Sequence, residues 1–388
     1  MADGKFTILG ETGSGKTCYL LGLYYKMRSG IGGYTMGIDD VEKGDSLVIA
    51  FNRLRDKKLG ENRFPNGTNE KMQYNLSLQY NLNTLKKFSW IDYPGSFLMP
   101  GNRDINDAQY KEVERDIKTS EVLFICVDGE NLVEGDVEEK IEEVSTNSAF
   151  NITPYLADFK KNNGVLPPIA IIVTKCDLFQ DSLTQEDFQT IIEKSFSPIF
   201  GTNKESYIAV IPVSLGKDIK DDGYKGKLKP LNIHLPIFFG VKVAFEKEIS
   251  KIADNATQAQ RNNPQIDNKI SNLNQKIASL RRDIRDNEEN IEQRKSWIYE
   301  EKNSWFFVND GDIARWEDAI TEFRRDINYK GNEISKLQIR IYDLRQQRSQ
   351  NDSAISQKND IPSMQNFWNM LDNELQGKTL IFRNGIWQ

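Results

Sequence analysis

Gly10-Glu11-Thr12-Gly13-Ser14-Gly15-Lys16-Thr17 fits the pattern G-x-x-x-x-G-K-[ST] with every fixed position filled. An apolar run with Phe6, Ile8 and Leu9 precedes it and reads as a strand; Tyr19, Leu20 and Leu23 follow it at helical spacing. Strand, glycine-rich loop and helix are the context this motif needs. The glycines let backbone N–H groups turn inward around a phosphate chain, and the helix N-terminus adds its partial positive charge. Lys16 is placed to reach β- and γ-phosphates, and the Thr17 hydroxyl to ligate Mg²⁺. The ligand implied is a nucleoside triphosphate, held by Gly10, Thr12, Gly13, Ser14, Gly15, Lys16, Thr17 and Cys18.

Around this loop the chain runs to 388 residues, enough for a full domain and a further element. Its hydrophobic fraction of 38% is low and its charged fraction of 28% high, which points to a helical, solvated portion beside the globular one. A net charge of −6 gives no global reason to expect nucleic acid. Cys18, Cys126 and Cys176 lie far apart without metal spacing; the first two sit in apolar runs and read as buried thiols. The first strand begins almost at once, leaving no room for a signal peptide, and no apolar run approaches the roughly 20 residues of a membrane span. The expectation is a soluble, cytoplasmic protein.

Downstream, Gly30-Ile31-Gly32-Gly33 reads as a flexible break, and Leu47, Val48, Phe51 and Leu54 as a second helix ending at Gly60. Phe64-Pro65-Asn66-Gly67-Thr68 is a turn by composition. Met72, Tyr74, Leu76, Leu78 and Tyr80 alternate as a strand, and Phe88, Trp90 and Ile91 belong to its neighbour, which ends in Asp92-Tyr93-Pro94-Gly95. An aspartate at a strand's end with a glycine three residues on suits a magnesium-shell carboxylate and a γ-phosphate sensor. A helix-compatible segment, 106–119, leads to the buried-strand run Val122–Asp128. Helical patterns over 137–144 and 155–161 precede a second buried strand, Ile169–Val173, which delivers Thr174-Lys175-Cys176-Asp177. A further strand, Tyr207–Val213, delivers Ser214-Leu215-Gly216.

G-x-x-x-x-G-K-T, then D-x-x-G, then [NT]-K-x-D at the ends of successive strands is the motif order of Ras-like P-loop GTPases, and the chain resembles that family over residues 1–255. The resemblance implies an α/β P-loop NTPase fold, a Ras-like G domain with a mostly parallel sheet, and GTP/GDP with Mg²⁺ as ligands. It implies that Asp177 accepts two hydrogen bonds from guanine N1 and N2, with Lys175 along the base and Thr174 in the place of the commoner Asn. Ser214 and Leu215 fall where the family's Ser-Ala loop meets guanine O6, with Leu in the Ala place. Lys16, Thr68, Gly95 and Ser96 fall at the catalytic positions, and Thr17, Thr68 and Asp92 at the metal. For the switch I threonine Thr68 fits best, since Thr35 would need a whole helix between it and the strand. Residues 30–60 are then an insertion, and so long a switch I region ending in Phe64-Pro65-Asn66-Gly67-Thr68 resembles the double-GTPase-like proteins of bacterial conflict and signalling operons. Ser96 stands where the family has a water-orienting Gln and is too short for that task, so low intrinsic hydrolysis or an activating partner is expected. Arg63, five residues before Thr68, reads as a solvated loop arginine, with a cis arginine finger as the alternative. His234 reads as structural.

Asn262-Asn263-Pro264 reads as a helix cap with Pro in the first turn. From Ile266 a 4-and-3 apolar spacing runs through Ile270, Leu273, Ile277, Leu280 and Ile284, then Asn287, Ile291, Arg294 and Ile298. After a break at Asn309-Asp310-Gly311-Asp312 it resumes from Trp316 to Leu344. The short turn favours one antiparallel coiled-coil hairpin over pairing of each arm with another chain. Trp305, Phe306, Phe307 and Val308 at its tip could plug the hairpin end, dock a partner or meet lipid; Asp310 and Asp312 argue against an anionic membrane. Ile361-Pro362 stops the second arm, a short helix follows, and apolar runs around Asn384-Gly385 suggest a terminal hairpin that must pack elsewhere on the chain. The domains expected are a GTP-binding domain over 1–260, a coiled-coil hairpin over 261–360 and a packed C-terminal segment over 361–388.

The function expected is a guanine-nucleotide switch with slow hydrolysis, signalling to a protein partner or a second copy through the hairpin, with nucleotide-dependent dimerisation and without nucleic acid or membrane binding. A pseudo-GTPase scaffold and a dynamin-like membrane GTPase are the alternatives. A coiled-coil ATPase is disfavoured, because Asp92 precedes the heptads and no S-G-G-Q-like signature occurs.

Overall fold

The computed structural model describes residues 4–67, 69–98, 108–200, 207–216, 228–303 and 309–388. Thr68 and the tip residues Trp305–Val308, to which the sequence gives roles, lie outside them. The described elements run β1 (Gly4–Gly10), α1 (Lys16–Arg28), β2 (Tyr34–Ile38), α2 (Val41–Leu54), β3 (Met72–Tyr80), β4 (Asn83–Asp92), α3 (Ala108–Thr119), β5 (Val122–Val127), α4 (Val137–Val144), α5 (Phe150–Asn163), β6 (Ile169–Val173), α6 (Gln185–Ser195), α7 (Ser197–Phe200), β7 (Tyr207–Pro212), α8 (Leu235–Lys302), α9 (Asp310–Gln357), α10 (Ile361–Leu375), β8 (Leu380–Arg383) and β9 (Ile386–Trp387).

Among the described residues the strands form one sheet in the order β2-β3-β4-β1-β5-β6-β7-β8-β9. Pairing is parallel from β4 through β1, β5 and β6 to β7, and antiparallel at both edges. The parallel strands β5 and β6 are buried at every residue, which is why they read as continuous apolar runs. On one face Phe6 stacks on Phe88 at 4.5 Å and Trp90 lies 5.1 Å from Phe124. Gly240, in the first turns of α8, crosses directly over Phe6 and Phe124: a Cβ there would sit 3.0 Å from the Phe124 ring. On the other face Leu9, Ile125 and Ile171 pack with Ile152 and Ile192 from α5 and α6. Chain order and pairing give an α/β P-loop fold followed by long helices.

Several elements differ from the sequence reading. The glycines after α1 lead into strand β2, whose Tyr34 packs on Tyr80 at 4.9 Å and Phe238 at 4.6 Å. Thr35 is on this edge strand, bonded to Gln79. The cap expected at Asn262-Asn263-Pro264 is absent, because α8 runs unbroken through Pro264. A mid-helix proline forfeits one backbone bond; here Asn263 donates to Asp352 at 3.2 Å and accepts from Asn351 at 2.8 Å, so the helix is braced from the facing arm. The second arm, α9, ends at Gln357, and the short helix expected after it is α10, which Ile361-Pro362 opens; Pro is tolerated in a first helical turn.

Two compact units are distinguished, one of residues 1–247 with 364–388 and one of residues 248–363. In the second unit the helices pair antiparallel: Asp267 meets Arg348, Asn287 meets Asp326 and Trp297 meets Trp316. Ile266, Ile277, Ile291, Ile320 and Ile341 are buried in the seam. The polar heptad positions are matched there: Asn287 donates to Asp326 at 2.7 Å, Lys330 bonds the same carboxylate, and Arg294 lies over Phe323 at 4.8 Å. Asn309 caps α9 by accepting from Gly311 and Asp312.

In the first unit the C-terminal segment completes the sheet. β8 pairs with β7, and Asn384 and Gly385 turn the chain at positive φ into β9. Lys242 pairs with Asp372 and lies over Trp368, Arg383 pairs with Glu246, and Trp387 donates to Glu193. His234 stands edge-on to Phe238 at 5.0 Å, and burial pushes its imidazole down to about 4, so it is a neutral packing group. Among the described residues no helix is long and apolar enough to cross a membrane.

Candidate functional site

At the C-terminal ends of the parallel strands a cavity of about 440 Å³ opens. β1 delivers the glycine-rich loop into it. Gly15 caps α1 at φ 89°, a conformation that favours glycine. Ser14 closes the loop by bonding the Glu11 carbonyl at 2.8 Å. From behind, the Ser14 carbonyl accepts from the Cys126 thiol at 3.1 Å and from the Thr174 hydroxyl at 2.9 Å. Thr174 thus ties the end of β6 to the phosphate loop, a task that a short hydroxyl performs here.

Lys16 is 6% exposed and folds back on its own loop, bonding the carbonyls of Gly10 at 2.6 Å and Glu11 at 2.8 Å. Burial pulls its pKa down, while Cys126, Asp92 and Glu11 push it up. Asp92, at the end of β4, is 3% exposed, and its Oδ1 is buried without a hydrogen-bond partner. Burial raises its carboxyl to about 6 against the pull of Lys16. A buried oxygen of this kind calls for a partner that the protein does not supply. A magnesium ion carrying its own waters suits that oxygen. Thr17 lines the cavity next to Lys16, the residue whose charge acts on Asp92.

Gly95 enters the cavity wall from the turn after β4. A Cβ on it would lie 2.0 Å from the Thr12 nitrogen, so only glycine fits against the loop. Ser96, next to it, is exposed and is not among the lining residues.

On the opposite side Lys175, Asp177 and Leu178 line the cavity with Val213, Ser214, Leu215 and Ile233. Lys175 holds a positive φ of 54° and pairs with Asp128 at 2.7 Å and Glu130 at 3.3 Å. Ser214 exchanges both backbone bonds with Leu231 and accepts the Gly216 N–H on its hydroxyl. Leu215 packs over Gly22 of α1. Cys18 lines the cavity too, its thiol pushed up to about 11 by burial. Thr12, Gly13, Gly15, Lys16, Thr17, Cys18, Gly95, Thr174, Lys175, Asp177, Ser214 and Leu215 therefore share one cavity, with Gly10 and Ser14 in the same loop.

The fourth wall is the turn read over residues 64–67, to which the sequence reading gave no place in the site. Glu61, Phe64, Pro65, Asn66 and Gly67 line the cavity, and a Cβ on Gly67 would lie 3.6 Å from the Thr12 methyl. Their place immediately before Thr68 was the available signal. Arg63 corrects an expectation: it is buried, with its guanidinium over the Phe64 ring at 5.1 Å, and is not a solvated loop residue.

A family model described as Double-GTPase 2 matches residues 6–222, more than half of the chain and all the motifs above. No curated protein matches the chain.

Proposed function

The chain belongs to the Double-GTPase 2 family, and from that premise we propose that it is a guanine-nucleotide switch with slow intrinsic hydrolysis. The observation that carries the guanine assignment is that Asp177 and the Ser214–Leu215 loop line the same cavity as the phosphate loop. The two oxygens of Asp177 accept from guanine N1–H and the exocyclic amine, a donor pair that adenine does not present. Ser214 has both backbone groups bonded to Leu231, so the next N–H, that of Leu215, meets guanine O6.

At the phosphates, Lys16 exchanges its two loop carbonyls for β- and γ-phosphate oxygens, which remain the better acceptors for a buried ammonium. The N–H groups from Gly13 to Thr17 hold the same oxygens. Gly95 offers its N–H to the γ-phosphate across the gap that its missing side chain leaves. Thr17 and Asp92, with Thr68 as the sequence resemblance implies, would hold Mg²⁺, which when bound would neutralise charge on the phosphates.

Ser96, exposed beside Gly95, does not orient an attacking water. Turnover by the isolated protein should therefore stay below about 0.01 s⁻¹, the range of G domains without an activating partner. Single-turnover phosphate release measures it. Several turnovers per second would refute the slow-switch reading; turnover rising with protein concentration would place the missing group on a second copy.

The helical hairpin supports the partner half of the proposal, because its seam is apolar and its outer surface charged and long. Its second arm, the 48 residues of α9, is roughly 70 Å long. Replacing residues 265–360 by a short linker should keep GDP affinity within about three-fold, and should abolish partner capture or self-association by light scattering. A folded truncated protein that no longer binds nucleotide would show that the hairpin belongs to the nucleotide site.

A further inference from the structure

The antiparallel ladder of β3 and β4 ends at the pair Met72 and Asp92. Lys71, just before that pair, follows Gly67 by four residues; Tyr93, just after it, precedes Gly95 by two. Gly67 and Gly95 both lie against Thr12 of the phosphate loop. The two cavity walls thus spring from the same end of one ladder.

A buried acid joins them just beyond the last pair. Asp116, on α3, is 2% exposed. Its Oδ2 accepts from Lys71 Nζ at 2.5 Å and from the Tyr93 hydroxyl at 2.6 Å, and its Oδ1 from Lys5 Nζ at 3.0 Å. Lys71 also donates to Glu112 at 2.8 Å, and its ammonium lies 5.6 Å from the Tyr93 ring centre. Lys5 also bonds the Thr119 hydroxyl at 2.7 Å. The donors hold the Asp116 carboxyl below the usual range against the opposing effect of burial. Lys5, Lys71, Tyr93 and Asp116 are not among the cavity-lining residues, so they contact neither phosphate nor base.

Burying such charges is a poor route to stability, since apolar replacements of buried ionic clusters are often neutral or better. What this cluster achieves is geometric. One carboxylate oxygen takes a bond from Lys71, four residues after Gly67, and one from Tyr93, two residues before Gly95.

We infer that Asp116 is a positioning residue that makes the Gly67 and Gly95 walls close together on the γ-phosphate of a nucleoside triphosphate. This rests on the GTPase reading above. A diphosphate lacks the group on which both walls converge, so the coupling acts on the triphosphate state alone.

The test is the ratio of affinities for a non-hydrolysable GTP analogue and for GDP, in the full chain. Asp116→Asn should leave GDP within about two-fold and weaken the analogue about ten-fold, within the usual range of coupling between sites. Tyr93→Phe, which removes one bond and no charge, should move the same ratio about three-fold. Added to Asp116→Asn, it should produce no further change. A purely structural role would lower the melting temperature and leave the ratio alone, which would overturn the inference. Equal weakening of both nucleotides would overturn it as well. If Asp116→Asn does not fold, Tyr93→Phe decides by the same ratio. A wild-type protein that binds neither nucleotide would bring down the GTPase reading and this inference with it; a wild type that binds both, with the variants' ratio unchanged, would bring down this inference alone.

Discussion

Asp177→Ala should lower the affinity for GDP and GTP by roughly 150-fold, about 3 kcal/mol, the worth of a pair of charge-assisted hydrogen bonds. The carboxylate lies in the cavity wall, across from the phosphate loop, beside Lys175 and Leu178. Its neighbours are fixed independently of it. Thr174 is bonded to the Ser14 and Val127 carbonyls, and Gly129 approaches so closely that a Cβ would lie 2.0 Å from the Thr174 carbonyl oxygen. The loop should therefore hold its shape when the side chain is removed, and the loss should fall on base recognition. Adenine nucleotides, which present no matching donor pair, should bind the variant as they bind the wild type. Titration calorimetry with GDP and ADP on both proteins separates these outcomes; an unchanged GDP affinity would remove Asp177 from the site.

Gly95→Ala should reduce turnover by about 100-fold, the usual consequence of a misplacement of about 1 Å at a reacting centre. The added methyl would lie 2.0 Å from the Thr12 nitrogen and 2.4 Å from the Glu11 carbonyl carbon, both backbone atoms of the phosphate loop. A flexible side chain could yield, but this loop is tied to Cys126 and Thr174 behind it. The Gly95 turn must move away instead, and with it the N–H proposed to bond the γ-phosphate. GDP does not reach that N–H, so its affinity should stay within about three-fold. Single-turnover kinetics paired with GDP titration checks both halves, and wild-type turnover in the variant would show that the loop does not take part.

The phosphate loop was legible in the sequence because its chemistry is local: eight consecutive residues carry the glycines, the lysine and the hydroxyl. The buried strands Val122–Val127 and Ile169–Val173 were legible because parallel strands covered on both faces need no alternation. The Thr174–Asp177 and Ser214–Leu215 loops gained meaning only from their order after these strands. β2 was not legible, since five residues with a glycine among them give too little alternation and its pairing with β3 lies more than 35 residues away. α6 and α7 were passed over as well, though Thr184 caps the first of them. Pro264 misled because its local effect, a lost hydrogen bond, is outweighed by a brace from Asn351 and Asp352. Arg63 looked like a surface arginine from its neighbours, and only the fold buries it. The Asp116 cluster was beyond reach for the same reason. Its partners Lys5, Lys71 and Tyr93 come from three separate strands' ends, and no local spacing connects them.

Selection of guanine by this P-loop cavity is what the proposed switch depends on. The most direct measurement is competition between GDP and ADP for the nucleotide-free wild-type protein in the presence of Mg²⁺. With one carboxylate reading two guanine donors, GDP should win by at least about 100-fold, on the scale of a site built to bond groups that the competitor lacks. Equal affinities for GDP and ADP would show that the cavity does not read the guanine base.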